Sequence, residues 1–143
     1  MTMVFLSIDD FKAVCDPQTL NVINQADVAN LDRAETYAIE EVSSYLRTRY
    51  DTATAFAATG SARNSYLVMI VADVCLYHLI AWLPKRIGFD IRETRYKQAI
   101  DWLKDVQAGK ATPDLPLPVD PGTGEITAQP IRYGGWQKSQ YQY

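Results

Sequence analysis

The stretch Ser65 to Leu83, SYLVMIVADVCLYHLIAWL, constrains this chain more than any other, because it is apolar on every side of a helix. A surface helix carries an apolar stripe and a polar back, so one that lacks the polar back has to be surrounded by protein. Asn64 or Ser65 supplies a cap at its start and Pro84 a stop at its end. About 20 residues at 1.5 Å rise give roughly 30 Å, the diameter of a small domain. The expectation is a buried hub helix, with Asp73, Leu76, His78 and Leu79 as structural core positions.

A bilayer is the other environment that takes such a helix, since the 18 residues from Tyr66 to Leu83 reach spanning length. Asp73 and His78 interrupt the run, and a lipid-facing carboxylate at mid-span costs roughly 2.5 to 3.5 kcal/mol. No membrane span is expected. The opening MTMVFLSIDDF has no basic residue ahead of its short apolar stretch and turns acidic at once, so it does not read as a signal peptide.

The remaining chain supplies amphipathic partners for the hub. Ser7 precedes Asp9 and Asp10 in a first turn that suits the positive end of a helix dipole, and a short helix runs to about Cys15. Pro17 opens a second short piece with Leu20, Val22 and Ile23. From Asp27 to about Tyr50, Leu31, Ala34, Ala38, Val42, Tyr45 and Leu46 recur three or four apart, which is the helical period. Residues Asp51 to Asn64 show no sustained period and read as a loop across one end. A last helix, Ile91 to Ala108, places Tyr96, Ala99, Ile100, Leu103 and Val106 on one face and ends at Gly109.

With 143 residues, of which 48% are hydrophobic and 22% charged, the chain has enough apolar surface for one core and no room for a second domain. The predicted fold class is all-α: a small irregular helical bundle around a central apolar helix, residues 1–109, with an extended C-terminal arm, residues 110–143. Five of the seven prolines fall in that arm, which therefore holds no regular core element.

Chemistry-bearing patterns are sparse. His78, the only histidine, lies three residues after Cys75, yet no CxxC, HxxxH or HExxH completes a zinc site. A nucleophilic Cys75 would need exposure and an orienting third group, whereas both residues sit in the most apolar helix. Cys15 and Cys75 read as small hydrophobes of a reducing compartment. No phosphate-cradling glycine motif is present. Catalytic residues, cofactor and metal are accordingly not expected, and the chain does not read as an enzyme. Asp73 needs a cation if it is buried, and Arg33, Arg47 or Arg49 from the preceding helix is the expected partner.

Two surface features remain. Arg47, Arg49, Lys85, Arg86, Arg92 and Arg95 flank helix ends and support an alternative reading as a helical nucleic-acid-binding packaging or regulatory module, although the formal charge of −3 argues against it. The arm carries Ile126, Ile131, Tyr133, Trp136, Tyr141 and Tyr143, large apolar side chains on a segment with little means of burying them. Ile131, Tyr133, Trp136, Tyr141 and Tyr143 are candidate anchors for a partner protein. A strap laid over the chain's own domain and simple disorder are the competing readings of that arm.

Taken together, SIDDFKAVC, AIEEVSSYLRTRYD, ARNSYLVMIVADVCLYHLIAWL and RYKQAIDWLKDVQAGKATPDLP resemble the small head-tail connector proteins of Mu-like and other tailed phages, over about residues 5 to 118. The resemblance implies a non-enzymatic adaptor of the virion neck, assembled in the host cytoplasm. It would form a twelvefold ring of neighbouring connector subunits under the portal protein and join it to tail-side neck or tail proteins. DNA would pass through the channel without being bound specifically. By similarity the arm after Leu115 would dock on the portal, with Tyr133 and Trp136 as the preferred anchors. Beyond about Pro118 no family motif is visible, which leaves the adjacent subunit or a tail-side protein open as the arm's target.

Overall fold

The computed structural model describes residues 3–18, 21, 28–80 and 89–127. Among these, five α-helices and one 3-10 turn carry the architecture: α1 (Ile8–Lys12), α2 (Val28–Leu46), α3 (Thr52–Ala57), the turn Gly60–Ala62, α4 (Ser65–Leu79) and α5 (Phe89–Gln107). The protein is an all-α bundle in which α4 is the hub, packed against α2 and α5, while α1 adds a shorter contact.

Burial of α4 follows from its composition. Seven consecutive residues, Ile70 to Leu76, are buried, two full turns with no solvent face. Asn64 caps it, its side chain accepting from Leu67 N–H at 3.0 Å. The helix ends at Leu79, and the expected extension to Leu83 lies outside the described residues beyond Ile80. Of the apolar repeat of α2, Leu31, Ala34, Ala38, Val42 and Leu46 are buried, and Tyr45 is half-buried against the core. On α5, Ala99, Leu103 and Val106 face the core. Gly109 closes α5 at φ 79°, a left-handed conformation that only glycine takes without strain, and its N–H donates to Val106 O at 3.0 Å.

The segment expected as loop contains a helix, α3. Asp51 initiates it by accepting from Thr54 N–H at 3.2 Å, a cap that offsets the modest helix propensity of the threonines in TATAFA. The piece expected after Pro17 lies almost wholly outside the described residues.

Two carboxylates tie the N-terminal strand of chain to the bundle. Glu35 of α2 is 3% exposed and accepts backbone N–H groups from Val4 at 2.9 Å, Phe5 at 2.7 Å and Leu6 at 2.8 Å. Asp10 receives Arg63 at 2.7 Å, and Arg63 also donates to Phe5 O at 2.8 Å. Burial alone would raise the Asp10 carboxyl, but the hydrogen bonds from Arg63 and Ser7 outweigh it and hold the group below its ordinary value of 3.8.

After Gly109 the chain turns back along the body. Leu115 is buried, Asp51 N–H donates to Pro116 O at 2.8 Å, and Asn64 Nδ2 donates to Asp114 O at 3.0 Å. A short antiparallel ribbon follows, closing at the Val119–Ile126 pair.

Candidate functional site

The buried charge on the hub finds its cations on α5. Arg95 grips Asp73 in bidentate fashion with one edge of its guanidinium, Nε to Oδ1 at 2.7 Å and Nη2 to Oδ2 at 3.0 Å. Arg92 lies 3.9 Å away through Nη1 and donates from Nη2 to Val14 O at 2.9 Å. The expected partners are corrected by this geometry: Arg47 pairs with Glu40, Arg49 donates to Gln107 O, and Arg33 is an exposed residue. Arg92 continues the apolar stripe of α5, in the register 92, 96, 99, 103, 106, so the helical period itself directs it inward beside Asp73. The cluster joins α4, α5 and the turn that follows α1 through one hydrogen-bonded carboxylate.

His78 and Cys75, the residues most capable of catalysis by type, are separated in environment. Cys75 is wholly buried, and burial, with a smaller contribution from Glu35, pushes its thiol up to about 12. A thiol held there supplies no thiolate near neutral pH. His78 is half-buried and its Nε2 lies 2.7 Å from Glu41 Oε2. The other oxygen of Glu41 accepts the Tyr96 hydroxyl, while Tyr96 stacks on Tyr77 with ring centroids 3.9 Å apart. Burial and the bond to Glu41 both raise the Tyr96 phenol, which stays protonated and donating. Glu41, His78 and Tyr96 thus form a polar clasp between α2, α4 and α5. Among the described residues no three His, Cys, Asp or Glu side chains are grouped to hold a metal ion.

The remaining functional candidates are surfaces. Of the six cations named for nucleic-acid contact, Arg47, Arg49, Arg92 and Arg95 are engaged with carboxylates or carbonyls, and Lys85 and Arg86 lie outside the described residues. The arm anchors Ile131, Tyr133, Trp136, Tyr141 and Tyr143 also lie outside them. A cleft of about 260 Å³ opens where the returning chain crosses the start of α4, lined by Ala58, Ser61, Asn64, Asp114 and Pro116 among others. Large apolar side chains stand exposed at Tyr37, Tyr66, Ile91, Val119 and Ile126. The last two are brought together on the ribbon, a juxtaposition that sequence reading missed because Asp120 to Glu125 carries no strong hairpin dipeptide.

No helix among the described residues is long and apolar enough to cross a membrane. Compared with known families, the chain matches the one described as "Bacteriophage Mu, Gp36" over residues 6–127, which takes in all five helices and the ribbon. No curated protein and no solved structure matches.

Proposed function

Because the chain belongs to the bacteriophage Mu Gp36 family, and is thereby a phage protein, we propose that it serves as the head-tail connector of a tailed phage. In this reading the helical body is one subunit of a ring beneath the portal, joined on its far side to neck or tail proteins, and DNA passes through without being read. The family match across the whole described body is the observation that carries the proposal. Supporting it, the polar groups that catalysis would use are committed to one another: Asp73 to two arginines and Glu41 to His78 and Tyr96. A bundle whose helices are tied together by these polar clusters suits a part that must keep its shape while its neighbours change. A formal charge of −3 suits a channel that must release DNA.

The test is association with the portal protein encoded in the same genome, followed by light scattering of the mixed species. A complex with several connector copies per portal is expected. A mixture that elutes as separate components at all protein concentrations contradicts the proposal. Steeply salt-dependent DNA binding by the free chain would favour the nucleic-acid module instead.

A further inference from the structure

The ribbon formed by residues 116–127 has an unusual distribution of backbone groups. Asp120 N–H donates to Glu125 O at 2.7 Å and Thr127 N–H donates to Pro118 O at 2.9 Å. Val119 and Ile126 are therefore the non-hydrogen-bonded pair of an antiparallel ladder, and their own N–H and C=O groups point outward from the two opposite edges. Neither the Val119 nor the Ile126 N–H has a backbone partner among the described residues, and neither does that of Leu117, the next outward position.

Proline normally blunts such an edge by removing its outward donors. Here Pro118 occupies an inward position, so it weakens the ribbon's internal ladder and leaves the outward donors of Leu117 and Val119 in place. The same pair places two apolar side chains side by side on one face, Val119 at 51% and Ile126 at 58% exposure. The tip is nonetheless shaped: Gly124 turns at φ 71°, its N–H donates to Asp120 O at 2.8 Å, and Asp120 Oδ1 accepts from Gly122 N–H at 2.7 Å. A two-stranded ribbon is marginal alone and gains stability when strands are added.

We infer that this ribbon is an intermolecular pairing element whose occupant is the same ribbon of a second copy, the Val119 edge of one chain aligning with the Ile126 edge of the next. One added strand from an unrelated protein would fill a single edge. A head-to-tail series of identical ribbons fills both edges of every copy, and closes when the rotation between copies divides a full turn. The closed ring rests on the connector reading, whereas the pairwise contact does not.

The test uses two full-length chains, Val119→Cys and Ile126→Cys, each carrying Cys15→Ser so that the half-buried native thiol takes no part. Both are oxidised alone and as an equal mixture, free at high concentration and after assembly with the portal. A covalent dimer in the mixture, at least tenfold above either chain alone, is the expected result. Portal-bound rings that yield no dimer in the mixture overturn the ribbon contact and leave the connector reading standing. Equal dimer yield in the single-variant samples overturns the Val119-to-Ile126 register. If no ring forms with the portal, the connector reading fails, and the free mixture decides the contact by the same criterion. As a second variant, Val119→Pro removes one outward donor and is expected to lower self-association about tenfold while the melting temperature stays put. Unchanged association would count against the pairing.

Discussion

Asp73 shows how one residue can look catalytic by type and be structural by environment. It is 4% exposed in the middle of the hub, and both carboxylate oxygens are taken by Arg95. Replacing it with alanine strands two guanidiniums beside a vacated site, and we expect a loss of about 3 to 5 kcal/mol in chemical denaturation. The double replacement Asp73→Leu with Arg95→Met should recover much of that loss, because paired removal leaves less charge unpaired. Asp10 behaves differently because its folded carboxyl sits below 3.8 through Arg63 and Ser7. The unfolded chain binds the proton first, so this contribution is complete above the ordinary carboxylate range and fades as pH falls through 3.8 and below. Thermal melts in acid should therefore show a steeper decline for the natural chain than for Asp10→Asn. A parallel pH dependence of the two would remove Asp10 from the account.

At the scale of elements, the hub carries the fold, and Leu79 reports on it. Its side chain is fully buried at the last turn of α4, so Leu79→Ala is expected to cost about 2 to 5 kcal/mol, and Leu76→Ala a similar amount. A change near zero in urea titration would place the core elsewhere. The apolar periods of α2, α4 and α5 were legible because burial acts on every turn of a helix, and a run of seven buried residues has no alternative reading as a surface element. The α3 helix was not legible in the same way: six residues with only Ala55 buried leave no period to detect, and only the Asp51 cap marks its start. The Asp73 partner was misassigned to the preceding helix, although Arg95 lies only 22 positions along the chain and Arg92 stands at the apolar register of α5. The Glu41 clasp needed three helices to be in place before its members met.

The described body combines a bundle cross-tied by the Asp73 and Glu41 clusters with a returning chain that leaves apolar groups outside. Leu115 joins the core, and eleven positions later Ile126 stands 58% exposed, so the transition from buried to exposed apolar side chains falls within the proline-rich stretch. Beyond it lie the arm residues proposed as partner anchors, and Trp136→Ala is expected to weaken portal association while leaving the melting temperature of the free subunit unchanged. A large fall in that temperature would mean that Trp136 packs on its own domain. The central claim, that this phage protein is a connector, is tested most directly by cryo-electron microscopy of the chain assembled with the portal protein from its own genome. The account predicts a closed ring of helical subunits coaxial with the portal, with an open central channel; portal particles bare of this chain at saturating concentration would contradict it.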